Sequence, residues 1–138
     1  MRIMAVDFGD VRTGIAISDV SASLTGQAWV VRERNLEKTA QLIAKEAVER
    51  EVGTIVVGYP KNMNGSVGPR AEKSEMLAEK IRSQSENEVV LWDERLTTMT
   101  AHRILTDTGK HGKKRKDTVD AVAASLILDS YLAYLKGR

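Results

Sequence analysis

Met4-Ala5-Val6-Asp7-Phe8-Gly9 is an apolar run that ends in a carboxylate and then turns. From Ile3 to Val6 no polar residue interrupts it, whereas a strand with one wet face would alternate, so this strand is expected to be covered on both faces. Asp7 thereby stands at the end of the sheet's centre. Gly9 and Gly14 bracket Asp10-Val11-Arg12-Thr13, expected to form a turn tight enough for backbone amides to approach an anion or a metal-bound phosphate. A second strand begins at once with Ile15-Ala16-Ile17.

Outward from that stretch, further strands are expected near Gly14–Asp19 and Gly26–Val31. The links between the first three strands are far shorter than the dozen or more residues of a parallel crossover, which makes them an antiparallel meander. After Asn35 the period changes: Leu36, Ala40, Ile43, Ala44 and Ala47 recur at helical spacing, with Asn35 as the cap and Gly53 as the stop. Thr54–Tyr59 is a second doubly covered strand, now placed after a helix and so parallel to its neighbour. A Gly- and Asn-rich loop, Tyr59 to Gly68, follows at the position where α/β sheets place ligands. Pro69 opens a helix whose apolar positions are Ala71, Met76, Leu77 and Ile81, and Val89–Trp92 is the fifth strand. Thr97 and Thr98 are candidate caps for a helix through Ile104 and Leu105, Lys110–Lys116 reads as a basic loop, and the last helix is expected from Asp117 to about Leu135. The fold class is therefore α/β, a five-stranded mixed sheet flanked by helices, in one domain over residues 1–138.

Composition narrows the chemistry. With 138 residues the chain suits a single domain and is too short for two lobes closing on a nucleotide, which sets aside an actin-like ATPase. At 42% hydrophobic and 29% charged it is globular, and no run reaches the ~20 apolar residues of a membrane span. The strand at Arg2 leaves no room for a signal peptide, and a cytoplasmic location without membrane attachment is expected. Zero cysteines exclude disulfides and thiolate sites, leaving oxygen ligands for any metal. The net charge of +2 is too small to imply nucleic acid by itself, so the placement of the charges carries the argument.

Three acidic loci stand at element ends: Asp7 after the first strand, Asp93-Glu94 after the fifth, and Asp117 with Asp120 at the last helix. Each has a plain alternative. Asp7 is also an ordinary turn former, Asp93 and Glu94 could be solvated, and Asp117 could be an N-cap complementing the helix dipole. Asp120, however, lies in line with Ala123, Ala124, Ile127, Tyr131 and Tyr134, on the stripe that must face the sheet. A buried carboxylate is costly unless it is paired or coordinated. Clustered carboxylates without cysteine suit Mg²⁺ or Mn²⁺, and two such ions support phosphodiester hydrolysis. Phosphate-binding cations surround the acids: Arg12, Lys61, Arg70, Lys73, Arg95, Lys110, Lys113, Lys114, Arg115 and Lys116. Aromatic residues are scarce, which favours backbone or shape recognition over base stacking.

Four blocks in this order resemble the YqgF/RuvX family: Val6-Asp7-Phe8-Gly9 with Arg12 and Gly14; Val57-Gly58-Tyr59-Pro60 with Gly65-Ser66 and Gly68-Pro69-Arg70; Asp93-Glu94-Arg95-Leu96-Thr97-Thr98; and Asp117 with Asp120-Ala121-Val122-Ala123-Ala124. The resemblance covers essentially the whole chain. It implies an RNase H fold and a metal-dependent nuclease maturing the 5′ end of pre-16S rRNA during ribosome biogenesis. Asp7, Glu94 and Asp120 would be its catalytic acids, with Asp93 and Asp117 as further metal-ligand candidates. Implied partners are pre-rRNA and ribosomal precursor particles, with the protein a monomer or homodimer. True junction resolvases of this fold carry an acid at the end of the fourth strand, where this sequence reads Gly58-Tyr59-Pro60-Lys61. The second carboxylate must then come from Asp93 or Glu94, and RNA is favoured over junction DNA. Resolution of four-way DNA and catalytically inactive nucleic-acid binding, as in a transcription factor, are the alternatives.

Overall fold

Short links pair the first three strands in a meander, and helical crossovers add the remaining two in parallel. In the computed structural model, backbone is described for residues 1–96 and 112–137 and side chains for residues 1–95 and 118–137. The strands are β1 (Arg2–Asp7), β2 (Arg12–Ser18), β3 (Thr25–Arg32), β4 (Val52–Tyr59) and β5 (Glu88–Asp93). The helices are α1 (Leu36–Glu49), α2 (Pro69–Gln84) and α3 (Gly112–Lys136), and a 3₁₀ turn spans Glu94–Leu96. The sheet order is β3-β2-β1-β4-β5, with β2 antiparallel to both β1 and β3, and β4 parallel to both β1 and β5. The expected mixed sheet is therefore present, with β1 at its centre.

The period-2 alternation of the strands feeds two cores. Met4, Val6, Ile15, Ile17, Ile55 and Val57 face α1 and α2, where Ala40, Ile43, Leu77 and Ile81 complete one cluster. Ile3, Ala5, Ala16 and Val56 face α3, whose Ala124, Ile127, Leu128, Tyr131 and Leu132 complete the other. Ala5 and Val6 are both fully buried, as the uninterrupted apolar run requires. Asp7 continues the odd-numbered face, so its carboxylate belongs to the α3 side.

Several boundaries differ from the sequence expectation. Asn35 caps α1 by accepting a hydrogen bond from the Lys38 amide (2.9 Å), as expected. The reversal after α1, however, falls at Glu51, with φ of 57°, and not at Gly53. Gly53 lies inside β4, where a Cβ would stand 3.1 Å from that of Met1. On α2 the buried face is Ala71, Ser74, Leu77, Ala78 and Ile81, while Met76 is 52% exposed. Gly14 belongs to β2 and does not close the turn. Residues 112–116 are helical, so the basic run Lys113–Lys116 is part of α3 and Asp117 is not its N-cap. Thr97, Thr98, Ile104, Leu105 and Lys110 lie outside the described residues, as do the side chains of Lys113, Lys114, Arg115, Lys116 and Asp117. Thr118–Lys136 is long and apolar enough by length and composition to cross a membrane, which counting unbroken apolar runs did not anticipate. Here its apolar face forms the second core.

Candidate active site

Glycine brings the acidic loci together. Asp7 pairs across the ladder with Gly14, and a Cβ on Gly14 would stand 2.1 Å from the Asp120 carbonyl oxygen. Only a bare backbone at residue 14 allows α3 to lie this close, and the close approach carries Asp120 to the strand beside Asp7. Glu94 arrives from the other side. Gly58 pairs with Trp92 in parallel register, and a Cβ on Gly58 would meet the Glu94 Oε2 at 2.9 Å and the Ile127 Cδ1 at 2.7 Å. The Glu94 carboxylate therefore lies over β4, between its own strand and β1. Strand parity explains the choice between neighbours: Val90 and Trp92 pack on the α3 core, so Glu94 returns to that face.

Asp93 is occupied elsewhere. Arg95 donates from Nε to both its carboxylate oxygens (3.1 and 3.0 Å) and from Nη2 to Oδ2 (2.6 Å), which holds the Asp93 carboxyl below the usual range. The same guanidinium reaches the Met63 carbonyl through Nη1 (3.3 Å) and so ties the Tyr59–Gly68 loop to the end of β5. Within that loop Asn62 and Asn64 bond Ser66, and Gly65 takes a φ of 87°. The loop is thus internally braced.

The Asp7 carboxyl is pushed up to about 7, chiefly by burial and next by the Glu94 charge, with Arg70 opposing and Asp120 adding a smaller upward push. Glu94 is raised too, chiefly by burial, with Arg70 pulling it down and Asp93 pushing it up. Arg70, in the first turn of α2, is thus the cation common to both acids. Among the described residues neither carboxylate accepts a hydrogen bond or lies within 4 Å of a cationic side chain. Asp120 differs: Arg12 Nε donates to its Oδ2 at 2.8 Å, with the two side chains 27% and 22% exposed. Lys73 pairs with Asp10 at 2.8 Å in the turn after β1. Lys61 Nζ stands 5.5 Å from the Tyr59 ring centre.

No group of three or more His, Asp or Glu side chains among the described residues stands ready to hold an ion. What is assembled is a pair, Asp7 and Glu94, with Asp120 adjacent but engaged by Arg12. Two desolvated carboxylates lacking hydrogen-bond donors fit a hard divalent cation, which takes oxygen ligands and relieves their mutual repulsion. The sequence pointed to these three acids and marked Gly58-Tyr59-Pro60-Lys61 as lacking a fourth-strand acid, yet it did not show that Gly58, a glycine inside the buried run Val56-Val57-Gly58-Tyr59, makes room for Glu94.

A family model described as "RuvX: Holliday junction resolvase" matches residues 1–134. The chain belongs to this family. Among curated RuvX relatives, a protein of Halothermothrix orenii is 46% identical over 138 residues, covering 97% of this chain and 96% of its own length. One from Ruminiclostridium cellulolyticum is 41% identical over 139 residues, covering 100% and 98%. Both carry the name "Putative pre-16S rRNA nuclease". Among solved structures, Thermus thermophilus RuvC bound to a Holliday junction substrate aligns with a TM-score of 0.62 at 10% identity, over 99% of this chain and 96% of that one. The fowlpox virus resolvase complexed with Holliday junction DNA gives 0.57 at 14% identity, over 98% and 99%. The RuvX chain thus has the RNase H-like fold of those resolvases.

Proposed function

We propose that this RuvX chain is a divalent-metal-dependent endonuclease that hydrolyses phosphodiester bonds of structured RNA, in maturation of the pre-16S rRNA 5′ end in the cytoplasm. The observation that carries this reading is the desolvated Asp7–Glu94 pair, with Arg70 the cation acting on both. Its residues fit Mg²⁺ or Mn²⁺, held by Asp7 and Glu94, with Asp120 joining them once Arg12 is drawn to a substrate phosphate. A bound ion of this kind supplies an activated water and neutralises charge on the leaving oxygen. The names carried by the relatives favour pre-16S rRNA as the substrate.

The chain's own residues divide the remaining work. Asp7 and Glu94 fix the point of attack on the α3 face. Arg70, from the start of α2, offsets their charge and can bind a non-bridging phosphate oxygen, aided by the amides of that helix start. Arg12 has a choice of anion, Asp120 or phosphate, so substrate binding and the release of Asp120 are one event. Lys61, Lys73, Arg95 and the basic first turns of α3 guide the backbone without reading sequence.

The test incubates purified protein with an RNA carrying the pre-16S 5′ end, in Mg²⁺ or Mn²⁺ and in EDTA, with a four-way DNA junction in parallel. Cleavage of the RNA that needs metal and falls about 100-fold or more in Asp7→Asn is expected. Equal cleavage by both proteins, or by neither, overturns the reading. Preferential cutting of the junction moves the substrate to branched DNA.

A further inference from the structure

The fold offers an acid a direct route to the site from β4, the strand between β1 and β5, and this chain leaves that position bare. Gly58 sits on the α3 face of β4, directly over its parallel partner Trp92 in register, with Val56 two residues before it in the α3 core. A Cβ there would lie 2.9 Å from the Glu94 Oε2, 3.2 Å from its Cδ, and 2.7 Å from the Ile127 Cδ1. Real Cβ contacts are almost never this short, so the space above residue 58 is filled by the Glu94 carboxylate and the tip of Ile127. Neighbouring strands are ~4.8 Å apart, which puts β5 about 10 Å from β1 and a carboxylate over β4 at about half that distance. Glu94 crosses this gap with two methylenes and the 3₁₀ turn; Asp93, one residue earlier, has the opposite parity and is clamped by Arg95. No backbone demand accounts for the glycine, because the only glycine with a positive φ among the described residues is Gly65.

We propose that Gly58 is a positioning residue: the missing side chain on β4 is the seat that holds the Glu94 carboxylate beside Asp7, so the second acid of the site is supplied across an intervening strand. This inference rests on the metal-binding reading of Asp7 and Glu94 given above. It deepens that reading by making residue 58 the determinant of where the second carboxylate stands. What the site requires is a carboxylate at that point in space, whichever strand provides it.

The experiment measures Mn²⁺ affinity by calorimetry or electron paramagnetic resonance, with Mn²⁺ alone as the probe, alongside thermal unfolding of each variant. Gly58→Ala is expected to weaken Mn²⁺ binding about 10- to 100-fold, the range seen when support of a ligand is lost. Ile127→Val, which deletes the other clashing atom, is combined with Gly58→Ala to show that the loss persists once α3 is relieved. In a Glu94→Ala background Gly58→Ala is expected to cost no further affinity, because the seat has no occupant. Gly58→Asp with Glu94→Ala and Ile127→Val is expected to recover Mn²⁺ affinity relative to Glu94→Ala alone. Additive losses in the double variant, or wild-type affinity in Gly58→Ala, overturn the proposal while leaving the metal reading intact. Wild-type protein that binds no Mn²⁺ overturns both.

Discussion

Replacing Asp7 by asparagine should stabilise the metal-free protein, by an amount that depends on pH in a defined way. The folded chain raises the Asp7 carboxyl from its ordinary 3.8 to about 7, a shift of about three units. At roughly 1.4 kcal/mol per unit, the ionised form is disfavoured by ~4 kcal/mol, and solvent at the rim of the site brings this to roughly 2–4 kcal/mol. The folded state holds this proton more tightly than the unfolded chain does, so the group stabilises fully below pH 3.8, and that contribution is lost as pH rises to 7. Asp7→Asn keeps a neutral side chain at every pH. Its advantage over wild type should therefore be near zero at pH 4, grow through pH 4–7 and level off above. For a chain of this size roughly 3–4 °C accompanies each kcal/mol, so the gain in Tm at pH 8 should be roughly 6–16 °C. The assay is thermal unfolding in EDTA from pH 4 to 8, repeated with Mg²⁺, which should raise the Tm of wild type and leave Asp7→Asn unmoved. An advantage of equal size at pH 4 and pH 8, or a less stable variant at pH 8, would refute the reasoning, because neither comes from ionisation of a desolvated carboxylate.

Other substitutions test the supports of the site. Gly14→Ala places a Cβ 2.1 Å from the Asp120 carbonyl and should cost about 3 kcal/mol or more in urea unfolding, whereas Gly26→Ala, whose closest atom is 3.2 Å away, should cost clearly less. Arg12→Ala removes an ion pair about a quarter exposed, and stability should fall by about 1 kcal/mol. The same variant should bind RNA more weakly in filter binding across a salt series, with the slope of log affinity on log salt reduced by about 1; an unchanged slope would assign Arg12 to structure alone. Arg95→Lys replaces a planar fork with a point charge and loses the simultaneous grip on Asp93 and the Met63 carbonyl. Faster amide exchange over residues 61–66, with α1 unchanged, is the expected readout.

What the sequence made visible followed from packing rules that act locally. Ile3–Val6 announced a central strand because burial on both faces removes alternation, and α1 was plain because Asn35 and five apolar positions agree. The start of α3 was hidden since its apolar stripe begins only near Val119, and a single glycine before four basic residues resembles a loop. Lys and Arg are good helix formers, and one Gly at an end costs little. Met76 was misplaced because the buried face of α2 is built largely from Ala71, Ser74 and Ala78, small residues that a search for large apolar side chains passes over. The candidate acids were legible from their positions at element ends. Parity placed Asp93 and Glu94 on opposite faces, but which face meets α3 depends on register with β4, and register is a long-range property. The engagement of Asp120 by Arg12 lay equally beyond reach, since it depends on α3 descending onto Gly14.

That descent has a consequence for the order in which the protein becomes competent. Synthesis delivers Asp7 first, Glu94 much later and Asp120 last, and the helix carrying Asp120 also covers one whole face of the sheet. A nascent chain that stops short of α3 leaves Ile3, Ala5, Ala16 and Val56 bare and Gly14 without its carbonyl neighbour. Asp120 cannot join Asp7 and Glu94 until that last piece docks, so on the nuclease reading proposed above the third acid and the second core are completed by the same step.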